Sequence, residues 1–202
     1  MSPFVPFSDA SKLWEPRAEE LRRLIPQPSR DILPFDPWLL APKVGLRVAE
    51  CNFAGLTEVE KAYMHSLRGG HWSGGFVPNI LPDGTKLCML NPDQSYRRQK
   101  ITLMEEIAHS FLGHSPTILS MSGESRYRDF NKRQEQEAYG VGAAVLLPWR
   151  LFFPMLNGGD NLDCLSDAFD VTRELVQYRI KVCGASSLYS KRQRNSSRGA
   201  VA

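Results

Sequence analysis

Two stretches in the second half of the 202-residue chain constrain its fold more than any other feature. Arg98–Gly113 carries Ile101, Met104, Ile107, Ala108 and Phe111, and Arg133–Leu147 repeats that spacing until Pro148 stops it. Residues three and four apart share one face of a helix, so each stretch predicts a helix with one apolar stripe to bury. Ahead of them the period is two. Val44–Glu50 alternates like a strand, and Phe76–Leu81 and Lys86–Leu90 read as strands joined by the turn Pro82-Asp83-Gly84-Thr85. Between these, Glu58–Leu67 reads as a helix behind the cap Thr57, and Arg68–Gly75 as a flexible Gly-rich loop. Ser115–Asn131 is polar and reads as a loop. Strands first and helices afterwards imply an α+β class: a small antiparallel or mixed sheet packed on a helical half.

The flanks differ from this body. Eight prolines fall between Pro3 and Pro42, so residues 1–40 read as a proline-rich arm with one helix, Ser11–Ile25, and a second short helix around Trp38–Leu40. Ala18, Leu21, Leu24 and Ile25 give the first helix its stripe, and Pro16 suits its first turn. The arm is expected to lie over the domain or reach to a partner, and to be dispensable for folding. Residues 41–189 form the domain, with a helix-turn-helix-like segment at 162–181. Residues 190–202 read as a disordered basic tail. The formal net charge is +3, yet the tail alone holds Lys191, Arg192, Arg194 and Arg198 and no acid. The body is therefore slightly acidic, and its charge does not mark a nucleic-acid binder. The longest uncharged apolar run, Val141–Trp149, is far short of the roughly 18–20 residues that span a bilayer. The first residues lack the pattern of a secretory signal, and the four cysteines stand singly. These features predict a cytoplasmic protein that does not enter a membrane.

The chemistry lies in Thr102-Leu-Met-Glu105-Glu106-Ile-Ala-His109. Glu105 and His109, four apart on a helix, converge on one point, while Glu106 lies one step round and leans over it. In His-Glu-x-x-His helices the outer pair holds a metal and the inner glutamate handles the proton of water. Here a carboxylate stands at the first outer position, which makes the site more anionic and more oxygen-rich. A third ligand is expected from the facing helix, where Glu135 shares a face with Ala138 and Tyr139 and Glu137 points elsewhere. Ala138, Gly142 and Ala143 would let the two helices approach closely.

Lys100–His114, followed about twenty residues later by Glu135-Gln-Glu-Ala138 and Ala143-Ala-Val-Leu-Leu-Pro148, resembles the ImmA/IrrE family of metallo-endopeptidases. That family carries a Thr-Leu-x-His-Glu-x-x-His helix and a Glu-x-x-Ala helix ending in Leu-x-Pro. The resemblance runs from about Pro42 to Gly184 and includes the helix-turn-helix-like segment. It implies a zincin-like fold and one divalent metal, zinc first, with manganese or iron as alternatives. It places His109 and Glu135 on metal ligands and Glu106 on the general base. Glu105 falls on the family's first histidine ligand and departs from it. The resemblance also implies a protein substrate, such as a helix-turn-helix repressor, with roles in stress response and transcription regulation.

Several residues stay open between two readings. Tyr139 is a hydrogen-bond donor to a metal ligand or to the oxyanion, or a core tyrosine with a satisfied hydroxyl. His71 is a transition-state donor from the Gly-rich loop or a surface histidine. His114, five residues after His109 and about 140° round the helix, cannot share the metal and reads as a cap or a buried hydrogen-bonding group. Cys88 is a buried small hydrophobe or a thiolate over the metal. The 162–181 segment either completes the core or reads DNA; its even charge favours the core. The competing functions are an active peptidase, with the Lys86–Leu90 edge pairing with substrate, an inactive pseudopeptidase that binds a regulator, and a DNA-binding regulator.

Overall fold

The computed structural model describes residues 5–50, 73–114 and 131–199. The expected helix 58–67, the Gly-rich loop up to Trp72 and most of the 115–131 loop lie outside the described residues. Helix α1 (Asp9–Arg22) starts where the Ser8 hydroxyl accepts from the Ser11 N–H at 3.2 Å. This cap begins the helix earlier than its stripe suggests, so Pro16 lies inside the helix and not in its first turn. Three 3-10 turns follow, at Ser29–Asp31, Pro37–Leu39 and Ala41–Val44. The middle one stands where the second short helix was expected, and Asp36 caps it through the Trp38 N–H.

Strands β1 (Leu46–Glu50), β2 (Gly74–Ile80) and β3 (Lys86–Leu90) form a mixed sheet in the order β1-β3-β2. β1 runs parallel to β3 with Leu46 opposite Lys86, and β2 runs antiparallel with Gly74 opposite Leu90. The β2–β3 turn is held by Asp83, whose Oδ1 accepts from the Thr85 N–H at 3.0 Å, and by Gly84 at φ +81°. The expectation of a substrate-pairing edge at Lys86–Leu90 is corrected by this order. β3 is the central strand, with its backbone groups committed on both sides, and the edges among the described residues are β1 and β2.

The helical half contains α2 (Tyr96–Leu112), α3 (Lys132–Leu146), α4 (Trp149–Gly158), α5 (Leu162–Phe169), α6 (Arg173–Val182) and α7 (Ser186–Gly199). The α+β class is therefore observed: a small mixed sheet packed on helices. α2 and α3 pack closely, as the small residues predict. A Cβ added at Gly142 would stand 3.2 Å from the Met104 carbonyl oxygen. The sheet is pressed onto α2 as well, since a Cβ at Gly74 would meet Thr102 Cγ2 at 2.7 Å. Among the described residues no single helix is long and apolar enough to cross a membrane. α3 and α4 together meet that test, but they bend by 68°, and their apolar residues lie in the core.

The arm is part of that core. Ala18, Leu21, Ile25, Phe35 and Leu40 are buried together with α2, α3 and α6 side chains. Arg22 donates to Val145 O at 2.6 Å and lies 4.3 Å above the Phe35 ring. Arg179 of α6 donates to Leu147 O at 3.0 Å and pairs with Glu15 of α1. Two buried guanidinium groups thus meet the carbonyl end of α3, where the helix dipole favours cations. Of the two placements expected for the arm, the structure has it lying over the domain. α1 carries core residues and the partner of a buried charge, which argues against the arm being dispensable for folding.

The basic tail also differs from expectation. Residues up to 199 are helical, because Leu188 and Tyr189 pack against the core and Arg192 and Gln193 reach the end of α4. Arg192 Nη2 donates to Asn157 Oδ1 at 2.8 Å and Gln193 Nε2 to Gly159 O at 3.0 Å. The helix-turn-helix-like pair α5–α6 is docked on α2 through its turn. Arg97 Nε donates to Asp170 Oδ1 at 2.9 Å and Arg97 Nη2 to Asp167 Oδ1 at 2.9 Å. The buried Lys100 ammonium reaches Phe169 O at 3.3 Å. Burial pushes that ammonium's pKa down, and Asp170 opposes the shift.

Candidate metal centre

The site lies between α2 and α3. Ser95 caps α2, accepting from the Arg98 N–H, and the helix period then puts Glu105 and His109 on the face towards α3. Asn131 caps α3 by accepting from the N–H groups of Arg133 and Gln134. Glu135 therefore stands in the first turn of α3, where the positive end of the helix dipole favours a carboxylate. One ligand-type atom from each of Glu105, His109 and Glu135 lies within 4.8 Å of the other two. His109 Nε2 is 3.6 Å from Glu135 Oε2. The structure brings together the three side chains expected from spacing, from two helices about thirty residues apart.

The electrostatics match a cation-binding role. Burial, reinforced by the Glu135 charge, raises the Glu105 carboxyl to about 7. Burial depresses the His109 imidazole pKa, with Glu135 opposing that shift. A neutral imidazole offers a lone pair, and two neighbouring carboxylates need a positive charge between them. Metal–ligand bonds of about 2.0–2.2 Å would close this cluster after small side-chain shifts. The donor set, one nitrogen and two carboxylates, fits a divalent cation.

The other expected residues are distributed as follows. Glu106 is half-buried next to the trio in sequence and outside it in space. Cys88 on β3 is fully buried, and burial together with the Glu106 charge holds its thiol well above the ordinary value. Cys88 lies outside the cluster of ligand-type atoms, which fits the small-hydrophobe reading. Tyr139 packs edge-on against Tyr178 with ring centroids 4.7 Å apart. Burial raises its hydroxyl, and the Glu105 charge adds to the shift. His71 lies outside the described residues. His114 is a hydrogen-bonding group, with Nδ1 3.1 Å from His109 Nδ1. Glu137 points away from the trio, as its helix position implies, but its carboxylate meets His114 at 3.5 Å. Spacing alone misses this contact, because His114 lies beyond the end of α2 and is placed by a turn.

A helix pair carrying one histidine and two glutamates at a convergent point, under a small mixed sheet, defines a metallopeptidase-like α+β domain. The model of the IrrE N-terminal-like domain matches residues 43–181. The chain belongs to this family, whose matched span holds the sheet, the site helices and α5–α6. No curated protein matches the chain.

Proposed function

We propose that the protein is a metal-dependent endopeptidase that cuts a regulatory protein such as a helix-turn-helix repressor. The observation that carries this reading is the convergence of Glu105, His109 and Glu135 within 4.8 Å, with Glu106 the next residue after Glu105 on the same helix. The three would hold one divalent metal, with zinc first. When bound, the metal supplies Lewis acidity, polarising the scissile carbonyl. Glu106 takes the proton of the attacking water and passes it to the leaving amide nitrogen. Tyr139, one turn after Glu135, is suited to hold the developing oxyanion or to brace Glu105. An extended substrate segment would pair with β2, whose Gly74–Gly75 start lies against α2 one turn before Glu105.

The turn of α5–α6 is occupied by Arg97 and Lys100, and Arg179 of α6 is buried. This supports a structural role for that segment over DNA reading. The four cysteines stand singly in the sequence, with no CxxC and no crowded spacing, which supports a reducing compartment, the cytoplasm.

The test is cleavage of a co-expressed candidate repressor by wild type, Glu106→Gln and Glu105→His. Glu106→Gln should cut on the order of 10²–10⁴ more slowly while its metal content is unchanged. Equal cutting by wild type and Glu106→Gln would refute the mechanism. Cutting by Glu105→His alone would make the natural protein a pseudopeptidase that binds the regulator.

A further inference from the structure

The start of α2 carries three cations, Arg97, Arg98 and Lys100. Two of them are committed to the turn of α5–α6: Arg97 pairs with Asp167 and Asp170, and Lys100 meets Phe169 O and Asp170. Arg98 is different. It is exposed, and among the described residues its guanidinium makes no hydrogen bond or ion pair. Helix stability does not account for it, because a cation in a first turn faces the positive end of the helix dipole. No acid in that turn offsets the charge.

The helix period points Arg98 towards the site instead. Seven residues make close to two full turns, so Arg98 shares a face with Glu105 and lies about 10 Å from it along the axis. α3 runs antiparallel beside this face, with Glu135 against His109 and Gly142 against Met104. Tyr139 therefore falls on the Arg98 side of Glu135. The Tyr139 ring meets Tyr178 with centroids 4.7 Å apart, which brings in α6, with Glu174 one turn before Tyr178. The Arg98 charge is felt on all three helices. Burial raises the Glu105 carboxyl and the Tyr139 hydroxyl, and Arg98 opposes both shifts. Glu174 is lowered first by its own N–H and the Thr172 hydroxyl, and Arg98 adds to that. Those two contacts engage the Glu174 carboxylate at the start of α6, and it forms no ion pair with Arg98. On the sheet side, Gly74 of β2 presses on α2 at Thr102, which lies between Arg98 and Glu105 along the helix. A segment paired with β2 would pass this part of α2.

We infer that Arg98 is a specificity-determining residue that binds an acidic side chain of the peptide substrate. The inference deepens the endopeptidase reading above and rests on it. A guanidinium presents a planar fork that holds a carboxylate through two parallel hydrogen bonds. An extended chain advances about 3.3 Å per residue, so the distance from Glu105 to Arg98 places the acidic residue about three positions from the scissile bond. The half-buried rings of Tyr139 and Tyr178 give that stretch an amphipathic flank.

The test uses the full chain and a library of random decapeptides, acetylated and amidated at their ends so that every carboxylate is a side chain. Zinc-supplemented protein is incubated with the library and the cleaved bonds are read by mass spectrometry. In a second readout, peptides retained by the immobilised protein are sequenced, which needs no cleavage. Wild type should favour Asp or Glu about tenfold at one position about three residues from the cut, and should retain acidic peptides. Arg98→Gln should lose both preferences, and Arg98→Glu should replace them with Lys or Arg. Arg17→Gln, which removes the same charge from the exposed face of α1, should keep both. Equal preferences in wild type and Arg98→Gln, no acidic preference in wild type, or the same loss in Arg17→Gln overturns the inference. A melting temperature for Arg98→Gln several degrees below wild type also overturns it, since Arg98 would then be structural. If wild type cuts no peptide, the endopeptidase reading fails, and the retained peptides still decide Arg98: acidic enrichment that Arg98→Gln abolishes supports it, and its absence overturns it.

Discussion

α1 and the turns after it give the core Leu21, Ile25 and Phe35, all at 4% exposure or less, so truncation to residues 39–202 should abolish folding. Burying a large aliphatic or aromatic side chain is worth about 1.5–3 kcal/mol, so these three together contribute about 5–9 kcal/mol. The truncation also removes Glu15, the partner of Arg179, which is fully buried. Leaving a buried charge without its partner costs about 3–5 kcal/mol more. The total reaches the roughly 5–15 kcal/mol that stabilises a whole domain. Urea unfolding followed by circular dichroism tests this directly. A graded version uses Leu21→Ala, expected to cost about 2–5 kcal/mol, against Leu13→Ala, at 72% exposure, expected within about 0.5 kcal/mol of wild type. A truncated protein with an unchanged cooperative transition would refute the reasoning. The arm would then be a cover over a self-sufficient core.

Three further outcomes are expected. Gly140→Ala should destabilise by about 1–3 kcal/mol, because the new Cβ would stand 2.4 Å from the Trp14 indole; a thermal melt checks it, and Trp14→Ala in the same chain should relieve part of the loss. Glu105, raised from 4.5 to about 7, binds its proton more tightly in the folded state than in the unfolded one. Stability of the metal-free protein should therefore fall as pH rises from about 4.5 to about 7, and Glu105→Gln should flatten that slope in denaturant titrations. Metal uptake has the opposite sign, strengthening as Glu105 loses its proton through about pH 7. Glu105→His should tighten zinc binding, since imidazole replaces a carboxylate that Glu135 repels; chelator competition that finds no gain would remove Glu105 from the ligand set.

Elements whose signal is local were legible from the residues alone. The apolar stripes of Arg98–Gly113 and Arg133–Leu147 located both site helices to within two residues at either end, because a helix period is set by neighbours along the chain. The same period put Glu105 and His109 on one face and selected Glu135, since its face also carries Ala138. The Pro82–Thr85 turn was legible because Asp83 and Gly84 have the conformations such a turn demands. Long-range packing settled the rest. Whether Lys86–Leu90 is an edge or a centre depends on where β1 returns, and a parallel partner forty residues earlier leaves no mark on the strand itself. The arm looked dispensable because its prolines obscure one buried helix, and what anchors that helix is a charge on α6 and the carbonyl end of α3. The tail looked disordered because its apolar anchors, Leu188 and Tyr189, precede it and its polar groups bond to the end of another helix. His114 meets Glu137 only because Gly113 reverses the chain while α3 lies close against α2. Each of these contacts joins segments far apart along the chain, and no window of sequence contains them.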